Sequence, residues 1–357
     1  MIIDVVKVFL PATVAFFIGI LITPILTHYL YKFKAWKKRG VQETVDGLDS
    51  PITRALHQDE TKKTPRMGGI VIWGSAIITT LLIFFISKLF PVEVTQKLDF
   101  FSRNQTWIPF FALLVGAGVG LIDDIYEVSQ RGSRRAGGLS LTFRLSIVGA
   151  VALFIGGWFY FKLDVVSLGI PFYGDFFIGP LIIPAFILVA LALYASGIID
   201  GIDGLSGGVF ASIFTAYAAI AFYQQQIDLA AFSAMLVGSI LAFLWFNIPP
   251  ARFYMSETGT MGLTLTVAVL AFMTDSLGGG VGVFVLPIIA LPLVVTVLSV
   301  IIQVLSKRFR GGKTVFLVSP LHNHFQALGW PGYKVTMRYW IISMIFAILG
   351  VIVALIG

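Results

Sequence analysis

Long apolar runs separated by short polar stretches dominate the chain of 357 residues. Ten such segments stand out, at roughly 5–31, 68–90, 107–126, 142–162, 180–199, 207–223, 229–246, 259–276, 280–305 and 337–356. Each is close to the ~20 residues that a helix needs to cross a bilayer. The pattern predicts an all-α polytopic membrane protein of about ten transmembrane helices, forming one integral membrane domain over 1–357. Pro287 and Pro292 each remove a backbone donor and predict a kinked ninth helix. Glycines in the second and third runs suit close helix approach. Between the fourth and fifth, 163–179 alternates apolar and small residues around Gly and Pro, which predicts a short outer β-hairpin. The first run is too long for a cleavable signal and has no small-residue cleavage site, so it reads as a retained span.

Composition narrows the class. The chain is 57% apolar and 12% charged, with a mean hydropathy of +0.92. A soluble domain carries ~25% charged residues. Too little polar surface remains to cover a water-soluble globule. The absence of cysteine excludes disulfides, thiolate metal sites and cysteine nucleophiles. The net charge of +7 matters here through its placement, which points to the membrane and not to nucleic acid as partner. Twenty of the 25 basic residues fall on one side: in the loop 32–67, after the third run, at Arg252, and from Lys307 to Arg338. The other side holds Lys7, Lys88, Lys97, Arg103 and Lys162. Basic loops face the cytosol, so both termini are expected outside.

The acids are few and gathered. Asp123, Asp124, Asp200, Asp203 and Glu257 stand at the cytosolic ends of apolar runs, within GLIDD, DGIDG and SETG. One such acid commonly caps a helix or meets headgroups. Five on one face default to a functional reading, because ionisable groups at membrane depth are costly. Asp200 and Asp203 share a side if that segment is helical. Asp123 and Asp124 are adjacent and cannot share one helical direction. Clustered carboxylates repel unless a cation sits among them, and hard oxygen donors suit Mg2+ or Mn2+. Basic loops beside them can take phosphate oxygens. Acids for a metal beside bases for phosphate is the composition of a phosphoryl-transfer site.

His322 and His324 flank Asn323 in SPLHNHFQALGW, where they can meet a metal or a phosphate or simply brace a loop. In FNIPPARFYMSETGT, Asn247 can hydrogen-bond, and Tyr254 offers a flat face for a base or serves as an interfacial aromatic. His28 reads as structural, and His57 has no evident partner.

The pieces KKTPRMGG, GLIDDIYEV, GLS, DGIDGLSGG, FLWFNIPPARFYMSETG and SPLHNHFQALGWPGYKVTMRYW occur in that order. In order and spacing they resemble the polyprenyl-phosphate N-acetylhexosamine-1-phosphate transferases. The His-containing loop followed by GWP resembles the branch whose donor is UDP-MurNAc-pentapeptide. The resemblance implies attack of undecaprenyl phosphate on the donor's β-phosphate, with Mg2+ required and UMP leaving. It implies catalytic roles for Asp123, Asp124, Asp200, His322 and His324. It implies metal binding by Glu257 and Asp200, and substrate binding by Asp203, Asn247, Tyr254, Lys62, Lys63 and Asn323. It also implies a homodimer.

Four positions depart from the family's pattern. Arg66 stands where TPTMGG has Thr, Gly197 where Asn is usual, Glu257 where the metal-binding residue is Asp, and Asn323 where the middle His of three is expected. Three other readings stay open at this point. One is a sister transferase using another UDP-hexosamine such as UDP-GlcNAc. Another is a lipid-binding paralogue without turnover. The third is a transporter, which would place acids mid-span and show an inverted repeat.

Overall fold

A computed structural model describes residues 2–36, 63–102, 104–129 and 138–357. Among the sequence features above, Lys37, Lys38, Arg39, Arg54, His57, Lys62, Arg103, Arg131, Arg134 and Arg135 lie outside the described residues. The chain is an all-α polytopic membrane protein. Among the described residues ten helices are long and apolar enough to span a membrane. The helices are α1 (Ile2–Lys32), α2 (Gly69–Leu89), α3 (Glu93–Leu98), α4 (Trp107–Val128) and α5 (Leu141–Lys162). There follow α6 (Ile182–Ala195), α7 (Leu205–Tyr223), α8 (Ile227–Asn247) and α9 (Ser256–Met273). The last are α10 (Gly282–Ile289), α11 (Leu291–Phe309), α12 (Leu321–Ala327) and α13 (Gly332–Ile356). A short 3-10 turn, Gly179–Leu181, leads into α6, and another, Ser196–Ile199, follows it.

The expected hairpin forms. Strands β1 (Ser167–Ile170) and β2 (Gly174–Phe177) pair antiparallel, with Leu168 opposite Phe176. The ninth run differs in detail from one kinked helix. It breaks at Ala290 into α10 and α11, with Pro287 inside the first and Pro292 in the opening turn of the second. The first turn of a helix has no carbonyl partner for that N–H, so Pro292 starts α11 at little cost.

Helix α9 is the axis of the bundle and is almost wholly buried. It packs along α4, and α7 and α8 pack beside each other nearby. Close approach is set by glycine. A Cβ on Gly116 would sit 2.8 Å from Gly262 Cα, and one on Gly69 would strike the backbone of Gly259. The threonines of α9 return their hydroxyls to the preceding turn, Thr264 Oγ1 to the Thr260 carbonyl at 2.8 Å and Thr266 Oγ1 to that of Gly262 at 2.7 Å. Outer helices present large apolar side chains such as Phe17, Leu21, Phe161, Ile348 and Ile356 at the surface, as lipid-facing helices do.

The two ends of the bundle differ. One carries the hairpin and the C-terminus, where Phe172 N–H donates to the Gly357 carbonyl at 3.0 Å. The other gathers the C-terminal ends of α4, α6 and α8 and the N-terminal ends of α2, α5, α7 and α9.

Candidate active site

At that second end the TPRMGG segment lies against the residues before α9. Tyr254 N–H donates to the Pro65 carbonyl at 2.9 Å, and Gly68 N–H donates to the Tyr254 carbonyl at 2.8 Å. Gly69 N–H follows with the Met255 carbonyl at 3.1 Å. Met67 and Ser256, on the two facing segments, both take left-handed backbone (φ 68° and 58°). Such strain in non-glycine residues persists where the surroundings fix it, often at functional sites. The outcome is a rigid ledge that aims Arg66 at α4 and sets Glu257 in the first turn of α9.

The adjacent aspartates part as their spacing requires. Asp123 turns to α5: its carboxylate accepts from Leu139 N–H at 2.6 Å and from Arg144 at 3.4 Å. Asp124 turns to α9: one oxygen accepts from the N–H and the hydroxyl of Thr258 at 2.9 and 2.6 Å. Its other oxygen lies 3.4 Å from Arg66 Nε, which is also 3.1 Å from Glu127. Arg144 Nη1 reaches Glu257 Oε1 at 3.0 Å. Two arginines thus each bridge two carboxylates. Burial opposes the Arg66 charge, yet Glu127, Asp124, Asp200 and Glu257 outweigh it and raise its pKa above the ordinary value.

Asp200 and Asp203 lie in the non-helical turn after the 3-10 segment, not on one helix face. There they diverge. Asp200 accepts from Ser206 Oγ and from Ser256 N–H, each at 2.7 Å, which brings it beside Glu257. Burial pushes the Asp200 carboxyl up, against those hydrogen bonds and the charge of Arg66. Asp203 accepts from Ala251 N–H at 3.0 Å and so braces the Pro249–Pro250 turn. Asn247 is buried and bridges the same turns, accepting from Gly204 N–H at 2.9 Å and donating to the Phe253 carbonyl at 2.8 Å.

His322 is buried against the DGIDG turn, where a Cβ on Gly201 would meet its Nε2 at 2.5 Å. Asn323 is buried beside it, and His324 Nδ1 accepts from Leu317 N–H at 3.2 Å. Lys63 is exposed at the start of the ledge, and Tyr254 is half-buried on it. The structure therefore brings Asp123, Asp124, Asp200 and Glu257 into one cluster and sets His322 next to it.

The structure adds Arg144, Glu127 and Thr258 to the site residues expected from the sequence. Glu127 carried a signal, since it lies one helical turn from Asp123 and Asp124 within GLIDDIYEV. Arg144 carried another, as a charge inside an apolar helix.

Among the described residues no three His, Cys, Asp or Glu side chains form a metal-binding group. Mg2+ commonly takes one or two carboxylates and fills its shell with water and substrate phosphates. Asp200 and Glu257 fit that need in kind. They are all-oxygen donors joined through Ser256, and Glu257 Oε2 lies away from Arg144, 3.5 Å from Thr260 Oγ1.

Residues 106–275, which carry most of these acids, match the family described as glycosyl transferase family 4. The chain belongs to that family. It is 32% identical over 342 residues to the phospho-N-acetylmuramoyl-pentapeptide-transferase of Geobacillus sp. (strain WCH70), covering 94% of this chain and 96% of that one. The enzyme of the same name from Listeria monocytogenes serotype 4b (strain CLIP80459) is 32% identical over 352 residues, with 96% of each chain covered. That of Bacillus subtilis (strain 168) is 31% identical over 341 residues, with 94% of each covered.

Proposed function

We infer that this protein transfers phospho-MurNAc-pentapeptide from UDP-MurNAc-pentapeptide to undecaprenyl phosphate, giving lipid I and UMP. The observation that carries the reading is the meeting of Asp123, Asp124, Asp200 and Glu257 with Arg66 and Arg144 at one end of a membrane bundle. Full-length likeness to enzymes bearing this name supports the choice of donor.

In this reading an oxygen of the lipid phosphate forms a bond to the donor's β-phosphorus. The bond from that phosphorus to the oxygen bridging the α-phosphate breaks, and UMP leaves with the electron pair. A phosphate monoester has a second pKa near ~6, so at neutral pH the attacking group is largely ionised and needs positioning more than a strong base. Asp124 already accepts from Thr258 and faces Arg66, which makes it a poor nucleophile and favours direct attack over a covalent aspartyl step. Arg144 and Arg66 supply positive charge where the transferring phosphoryl group carries negative charge. Asp200 and Glu257 would hold Mg2+, which when bound neutralises phosphate charge and orients the leaving group. His322 stands beside the DGIDG turn, with Asn323 and His324 next to it on α12. Tyr254 offers a ring for the uracil, and Lys62 and Lys63 attract the donor's phosphates.

The basic ends of the helices support a cytosolic site in the bacterial cytoplasmic membrane, with both termini outside. A homodimer rests on the resemblance alone.

The test is UMP release by purified protein in detergent, with undecaprenyl phosphate, Mg2+ and either UDP-MurNAc-pentapeptide or UDP-GlcNAc. Release with the muramoyl donor is expected. Release with UDP-GlcNAc alone would move the chain to the sister branch. Silence with both, from folded and lipid-binding protein, would mean a paralogue without turnover.

A further inference from the structure

We propose that Arg66 is a built-in counter-ion of the acid cluster, which competes with the divalent cation and keeps the cation's affinity for the substrate-free site low. The proposal rests on the reading of Asp200 and Glu257 as the cation's ligands.

Asp123, Asp124 and Glu127 at the end of α4, Asp200 in the turn after the 3-10 segment and Glu257 at the start of α9 are drawn together through Arg66, Arg144, Thr258 and Ser256, in surroundings that are largely buried. Like charges this close do not stay ionised together without compensation. A divalent ion is one compensation, and arginine is another. The structure already holds two arginines in place, Arg144 on Asp123 and Glu257 and Arg66 on Asp124 and Glu127.

Arg66 is held from its backbone as well as its side chain. Its N–H donates to the Ala35 carbonyl at 2.7 Å, and the next residues are clamped against Tyr254 and Met255. The side chain is 24% exposed and is held at its Nε by Asp124 and Glu127. It stands next to both proposed cation ligands: its partner Asp124 accepts from Thr258, the residue after Glu257, and its ledge ends on Met255, beside the Ser256 N–H that donates to Asp200. A fixed cation there repels a second one at a distance where water screens poorly.

Among the described residues no three acid or histidine side chains converge as a metal group. Two carboxylates are a weak cage for Mg2+, which binds well when substrate phosphates complete its shell. The cation is then captured with the donor, and Arg66 keeps the empty site from holding it beforehand.

Equilibrium dialysis of Mn2+ against the detergent-purified protein, at low ionic strength and without substrate, tests this. Arg66→Gln removes the charge and is expected to tighten Mn2+ binding at least tenfold. Arg66→Lys keeps the charge and is expected to leave it within about twofold of wild type. Thermal melting checks that each variant is folded. Equal Mn2+ affinity in the wild type and a folded Arg66→Gln variant would overturn the proposal. Repeating the dialysis with UDP-MurNAc-pentapeptide on both sides separates it from the reading beneath. Retention of Mn2+ that Glu257→Gln abolishes keeps the Asp200 and Glu257 site, whatever Arg66 does. No retention under either condition, by any variant, overturns both.

Discussion

Asp124 is held by Thr258 and faced by Arg66, and the value of each can be weighed singly. A hydrogen bond to a charged group contributes about 1.5–3 kcal/mol. Thr258→Val keeps the backbone N–H and shape but removes the hydroxyl. It should lower kcat by about tenfold or more with little change in KM for the donor, read by UMP release. Glu257→Gln removes a proposed cation ligand and the partner of Arg144. It should lower turnover by at least about a hundredfold, whereas survival of most activity would take Glu257 out of the cation site. The acids themselves were legible in sequence, because few carboxylates occur and their motifs end apolar runs. Their partners were not. Thr258 lies 134 positions from Asp124 and Arg144 lies 113 from Glu257, so only the packing of α4, α5 and α9 reveals the pairs. Arg66 was visible as a departure from a pattern, but its pairing with Asp124 and Glu127 needed the ledge that aims it.

At the scale of helices, the site depends on how closely α4 approaches α9. Gly120 lies against the backbone at the start of α9: a Cβ there would strike Glu257 and lie 2.8 Å from Thr258 N. Gly118, two residues earlier, has open space around it. Gly120→Ala should therefore push the helices apart, displace Glu257 and Thr258 together, and lower both melting temperature and activity. Gly118→Ala should be neutral or stabilise by up to about 1 kcal/mol through helix propensity alone. Equal effects of the two would show that this contact does not set the site. The helices were legible because length and apolarity alone define a span. The break at Ala290 was not, since two prolines read as kinks whether a helix bends or restarts. The turn at Asp200 and Asp203 was equally hidden, because a DGIDG motif can be read as helix until its hydrogen bonds are seen.

For the whole molecule, the proposed orientation, with the acid cluster toward the cytosol, rests on the asymmetry of Lys and Arg. The chain has no cysteine, so single cysteines report their side without background. Tyr173→Cys, at the exposed tip of the hairpin, should react with a membrane-impermeant maleimide on intact spheroplasts. Lys313→Cys, in the exposed segment after α11, should react after permeabilisation and not before. The opposite pattern would invert the orientation and put the acid cluster out of reach of a cytosolic nucleotide.

The most direct test of the account is the identity of the lipid product. Purified protein would be incubated with undecaprenyl phosphate, Mg2+ and an equal mixture of UDP-MurNAc-pentapeptide and UDP-GlcNAc, and the organic extract would be weighed by mass spectrometry. The proposed transfer predicts undecaprenol joined through a pyrophosphate to MurNAc-pentapeptide, formed in step with UMP. A lipid carrying GlcNAc in its place, or unchanged undecaprenyl phosphate from folded protein, would contradict it.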